Sequence, residues 1–206
     1  MKNPLHYQLS EFDCGPTAML DAVSFLFPRE AIPPEVIRNI MLYCLDCYGS
    51  EGAFGKKGTS RIAMMFLSNW LEGYGKVGQL PVSSRYLSGR SVYLGNGSII
   101  SDALHHGGVA VVRVFYDEGH YVLLTGEEDG NIYMFDPYYR TVPYEEEDIL
   151  IEEDHPCAYN RILPLDYFNK EALEIYAFGP VEEREAVLIF NRETMLTQEE
   201  TIEYYI

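Results

Sequence analysis

Residues 109–137 read VAVVRVFYDEGHYVLLTGEEDGNIYMFDP. Val109 to Tyr116 is a β-branched and aromatic run typical of a buried strand. Asp-Glu-Gly at 117–119 is turn chemistry, and His120 to Thr125 resumes as a second strand. Glu-Glu-Asp-Gly at 127–130 reads as another turn. Asn131 to Phe135 then returns as a third strand that stops at Asp136-Pro137. Consecutive strands on short turns predict an antiparallel sheet in the second half of the chain.

Upstream the period changes from two to helical. Residues 14–27 carry Ala18, Ala22, Phe25 and Leu26 at helical spacing, with Asp13 or Ser10 as the expected cap. Pro16 fits only a first turn, where its missing N–H costs nothing, so Cys14 falls at or just before the helix start. A second helix is expected from Pro33-Pro34, with Val36, Ile37, Ile40, Met41, Cys44, Leu45 and Tyr48 on one apolar stripe. A third begins near Thr59, carries Ile62, Ala63, Phe66, Leu67, Trp70 and Leu71, and is expected to stop at Gly73 and Gly75. The glycine-rich stretch Gly49 to Gly58, with Lys56 and Lys57, lacks phosphate-loop spacing and reads as surface. Ser98 to His106 is a short helix ending at Gly107-Gly108, with His105 and His106 at its solvated end.

Beyond Tyr139 an acidic segment, 145–154, precedes strands expected near 158–163, 173–178 and 186–190, and Thr197 to Glu200 has the form of a capping box. The expectation is one α+β domain over residues 1–206, with a mostly helical part (1–108) packed on a β-rich acidic part (109–206).

Composition narrows the function classes. The 206 residues hold 32 acidic and 15 basic side chains, a net charge of −17. Residues 1–103 are balanced at 9 of each sign, so the whole excess lies in 104–206. Such a charge repels phosphate backbones and anionic lipid, which argues against nucleic acid and membrane surfaces as partners. No stretch approaches the roughly 18 apolar residues of a spanning helix, and no apolar run follows Lys2 as in a signal peptide. Four cysteines are too few for a disulfide scaffold, so reduced thiols in a cytoplasm are the expectation. Cys44 and Cys47 lie at the C-terminal end of a helix, where the dipole disfavours thiolates, and no second ligand pair follows them. No metal or redox role is expected of this pair.

A thiol nucleophile needs a stabilised thiolate, a base and donors for an oxyanion. Cys14 at a helix start meets partial positive charge and free N–H groups. Gln8 offers an amide N–H that can join the Cys14 backbone N–H as an oxyanion hole. Gly15 removes a side chain beside the sulfur and leaves room for a substrate carbonyl. His120 is a polar aromatic heading an otherwise apolar strand. With a four-residue loop at 127–130, His120 falls opposite Pro137; a five-residue loop or one bulge sets Asp136 directly across from it. Asp136 would then orient the imidazole toward the thiol.

Gln8, five residues later Cys14-Gly15-Pro16-Thr17, then Gly119-His120-Tyr121-Val122 and Phe135-Asp136-Pro137, resemble the papain-like cysteine peptidases that process double-glycine leaders of bacteriocins, family thirty-nine, and its stand-alone relatives. The resemblance spans about residues 4–140. It implies a papain-like fold with no cofactor, Cys14 as nucleophile, His120 as general base, Asp136 as orienting carboxylate and Gln8 as oxyanion donor. The function expected is a cysteine peptidase acting on a neutral or cationic peptide or protein. An acyl or peptidyl transferase using the same triad, or a non-catalytic peptide-binding module on the same fold, are the alternatives.

Overall fold

The computed structural model describes residues 1–195; the expected capping box at Thr197 lies outside them. Helices α1 (Cys14–Leu26), α2 (Pro34–Cys44) and α3 (Arg61–Lys76) come first, followed by strand β1 (Val82–Ser88) and helix α4 (Ile99–His105). Strands β2 (Val109–Tyr116), β3 (Glu118–Glu128), β4 (Asn131–Phe135), β5 (Leu150–Ile151), β6 (Arg161–Pro164) and β7 (Glu185–Asn191) complete the described chain. All pair antiparallel in one sheet, in the order β1-β7-β2-β3-β4-β6-β5. This is the mixed helical and antiparallel-sheet architecture expected from the sequence. Among the described residues no helix is long and apolar enough to cross a membrane.

The unbroken apolar run at 109–112 is explained by burial from both sides. Val109 and Val111, with Tyr121 and Leu123 of β3, pack under α1, α2 and α3 through Ala18, Met19, Ile40 and Leu67. Ala110 and Val112, with Val122 and Leu124, face a second core closed by α4 and by Ile149, Phe168, Tyr176 and Phe178. Helices therefore cover both faces, and the chain beyond Tyr139 supplies part of the second layer.

Several boundaries differ from the sequence reading. Strand β1 lies inside the part expected to be helical; Val-Ser-Ser-Arg-Tyr-Leu-Ser is the polar sequence of an edge strand and lacks a strong apolar alternation. Helix α3 runs through both glycines to Lys76, because a Cβ on Gly75 would stand 1.8 Å from the Val82 carbonyl oxygen. There glycine permits close helix–strand approach instead of ending the helix. The buried stripe of α2 is only Val36, Ile40 and Cys44, while Ile37, Met41 and Tyr48 are exposed, as are Ile62 and Phe66 on α3. Residues 173–178 form no strand: Tyr176 sits at φ +59°. The β3–β4 turn is the two residues Asp129 and Gly130, both at positive φ, with a bulge between Leu124 and Gly126.

Candidate active site

Cys14 is the first residue of α1 and is buried at 8% exposure. Asp13 holds the capping position, yet its carboxylate turns backward and accepts from the Leu9 and Ser10 N–H groups at 2.8 and 2.6 Å and from the Ser10 hydroxyl. Neither Asp13 nor Ser10 caps the helix, contrary to expectation; both brace the loop that carries Gln8. The Gln8 N–H donates to the Pro137 carbonyl at 2.9 Å, which ties that loop to the residue after Asp136.

His120 heads the buried part of β3 and its Nε2 lies 2.7 Å from Asp136 Oδ1. The bulge sets Phe135 against Leu123, so Asp136 comes level with Val122 and reaches His120 diagonally, not directly across. Asp136 is fully buried and densely held. Its Oδ1 also accepts the Tyr138 N–H at 2.8 Å, and its Oδ2 accepts the Tyr176 hydroxyl at 2.7 Å. The Asn160 side chain clamps its backbone, accepting from Asp136 N at 2.7 Å and donating to Asp136 O at 2.8 Å.

These contacts decide the charge state. Burial works against an ionised Asp136, yet the charge and hydrogen bond of His120 with the Tyr138 and Tyr176 donors outweigh it and hold the carboxyl below its ordinary range. Burial equally opposes an imidazolium at His120, but Asp136, with the Cys14 sulfur as a further acceptor for the ring, raises its proton affinity well above the ordinary histidine value. With Asp136 ionised, Nε2 carries a proton, and Nδ1 is the nitrogen left for the Cys14 sulfur.

Two hollows meet at Glu11, Cys14, Glu118 and Gly119. One, of about 320 Å³, is walled by Gln8, Tyr116, Asp117, His120 and Tyr138. The other, of about 600 Å³, extends past Thr59 to Lys56, Lys57, Arg61, Arg113 and Glu185. Of the residues singled out from the sequence, Gln8, Cys14 and His120 line one hollow, and Asp136 stands behind His120. Gln8, however, donates its Nε2 to the Ser10 carbonyl at 2.7 Å, and its buried Oε1 has no partner.

No family model matches the chain, and no curated protein does. Among solved structures it is similar to the peptidase domain of Streptococcus mutans ComA, at 11% identity and a TM-score of 0.39. The alignment covers 91% of this chain and 98% of that one.

Sequence reasoning missed four of those residues. Tyr144, Asn160, Arg161 and Tyr176 all belong to the chain beyond Tyr139, and all contact Asp136 directly or through one another. The one sequence feature that could have pointed to two of them is the polar pair Asn160-Arg161 at the head of an apolar segment. Lys56 and Lys57, read as plain surface, line the cleft beside Cys14, with Lys56 over the Phe12 ring. Gly15 leaves no space for a substrate, since Thr59 occupies it.

Proposed function

We propose that this protein is a papain-like cysteine peptidase in which Cys14 attacks a peptide carbonyl. The observation that carries the reading is the buried His120–Asp136 pair set beside a cysteine at a helix start in an open cleft. A His120 imidazolium is the natural counter-ion of a Cys14 thiolate. The thiolate adds to the carbonyl, and the Cys14 backbone N–H with the second Gln8 amide hydrogen holds the oxyanion. His120 gives its proton to the leaving amine as the thioester forms. It then takes a proton from the water that releases the acid, and the Cys14 thiolate and His120 imidazolium are restored.

The substrate we assign to the cleft is a neutral or cationic peptide. Glu11, Asp117 and Glu118 line the hollow on the His120 side, and none has a cationic partner among the described residues. The opposite side is basic, with Lys56, Lys57, Arg61 and Arg113 against Glu183 and Glu185, and Arg113 meets Glu183 at 3.6 Å; the cationic part of the substrate is therefore assigned to the His120 side.

A limiting amount of iodoacetamide near pH 6, with the adduct mapped by mass spectrometry, tests the assignment. The expected product is selective alkylation of Cys14, abolished in His120→Ala. Alkylation of Cys14 no faster than of Cys44, Cys47 or Cys157 would overturn it.

A further inference from the structure

We infer that Arg161, Tyr144 and Tyr176 form a one-way hydrogen-bond relay that positions Asp136 for its work on His120. The inference rests on the Cys14–His120–Asp136 reading above and adds positioning residues to it. Arg161 is 1% exposed, the largest fully buried side chain among the described residues. Its guanidinium meets no carboxylate there, only carbonyls and one phenol: Nη1 donates to Asn160 O at 2.8 Å, Nη2 to Tyr138 O and Arg140 O at 3.4 Å, and Nε to the Tyr144 hydroxyl at 3.2 Å. A buried cation without an adjacent anion is costly, so where its field ends matters.

It ends on Asp136. The Tyr144 and Tyr176 hydroxyl oxygens are 2.6 Å apart, and Tyr176 reaches Asp136 Oδ2 at 2.7 Å. A guanidinium can only donate and a carboxylate can only accept, while each phenol has one proton. The direction is therefore forced: Arg161 donates to Tyr144, Tyr144 to Tyr176, and Tyr176 to Asp136. Every dipole in the chain points its positive end at the carboxylate, and such chains polarise cooperatively in a low dielectric. Burial, with Asp136 and Tyr144 beside it, holds the Tyr176 hydroxyl protonated far above neutrality, so this donor does not switch off.

The backbone at Tyr176 points the same way. A tyrosine at φ +59° is strained, and the segment is held there by hydrogen bonds of 2.8 Å between β2 and both Tyr176 and Ala177, through Phe115. From this turn the phenol reaches Asp136 Oδ2. The other titratable or charged groups facing Asp136 are His120 with Cys14 behind it, and Tyr116 from β2, which Arg140 contacts at 3.2 Å.

Tyr176→Phe removes the hydroxyl that donates to Asp136 and accepts from Tyr144 while keeping the ring, and Tyr144→Phe removes the link before it. Two readouts follow each variant: the pH dependence of Cys14 alkylation by iodoacetamide, and the acid titration of Asp136 seen through the His120 ring nitrogens by NMR. Tyr176→Phe is expected to move the acid limb and the Asp136 step to higher pH, and to slow alkylation at pH 6 by roughly threefold or more. Tyr144→Phe is expected to shift both in the same direction by less. A merely structural hydrogen bond would lower the melting temperature and leave both profiles in place. Profiles superimposable on the parent overturn the relay. Failure of Cys14 alkylation in the parent itself overturns the triad, while the NMR titration still decides the relay; if Tyr176→Phe does not fold, Tyr144→Phe decides it.

Discussion

Gly15 and Thr59 touch so closely that a Cβ on Gly15 would stand 2.3 Å from Thr59 Oγ1 and 2.8 Å from its Cβ. The glycine beside the nucleophile therefore serves packing: it lets the segment before α3 close over the start of α1. Gly15→Ala has no flexible side-chain end to displace, so it is expected to cost about 1–3 kcal/mol, the usual penalty of overpacking. Urea unfolding measures it, and a change within error of zero would show that the segment swings aside freely.

Stability should depend on pH through the buried pair. His120 is raised above its ordinary 6.5, so its contribution is complete below that pH and fades as pH climbs toward the folded value. Asp136 is lowered from 3.8, so its contribution is complete above that pH and is lost as pH falls through the folded value. The gap in melting temperature between the parent and Asp136→Asn should accordingly be widest between about pH 4 and 6.5 and narrow on either side. A gap that widens steadily from pH 7 to 10 would contradict the assignment.

Charge on the substrate should matter at the His120 side of the cleft. At low salt, peptides carrying lysine beside the scissile bond are expected to show kcat/KM roughly tenfold above matched glutamate peptides. The ratio should shrink as salt screens the site and invert in Asp117→Lys/Glu118→Lys. A preference for acidic peptides in the parent would remove the cationic-substrate proposal and leave the peptidase reading intact.

Cys44 should be chemically silent. It is fully buried on α2, and burial, with Asp46 and Cys14 nearby, pushes its thiol far up. Native protein at pH 8 should therefore show no iodoacetamide adduct there until it is unfolded. Cys44→Ala should slow neither Cys14 alkylation nor turnover, while lowering stability by about 1 kcal/mol for the lost packing. Rapid labelling of Cys44 in the native state would mean that α2 opens locally.

The strands β2, β3 and β4 were legible because their residues are β-branched and aromatic and their turns are short; α1, α2 and α3 were legible because apolar residues recur at helical spacing. The candidate residues Gln8, Cys14, His120 and Asp136 were legible as a set through short motifs, each belonging to one local element. Local order alone specifies such features. The polar edge strand β1 and the continuation of α3 past two glycines depend on partners far along the chain, β7 for one and Val82 for the other. The same holds at the site. That Asp136 reaches His120 diagonally follows from one bulge and a two-residue turn whose register the sequence left open. Whether Asp136 carries a charge is settled by His120, Tyr138 and Tyr176, and Tyr176 arrives from 40 residues downstream. A buried charge is stabilised by donors converging from several directions, and only the tertiary fold brings such donors together.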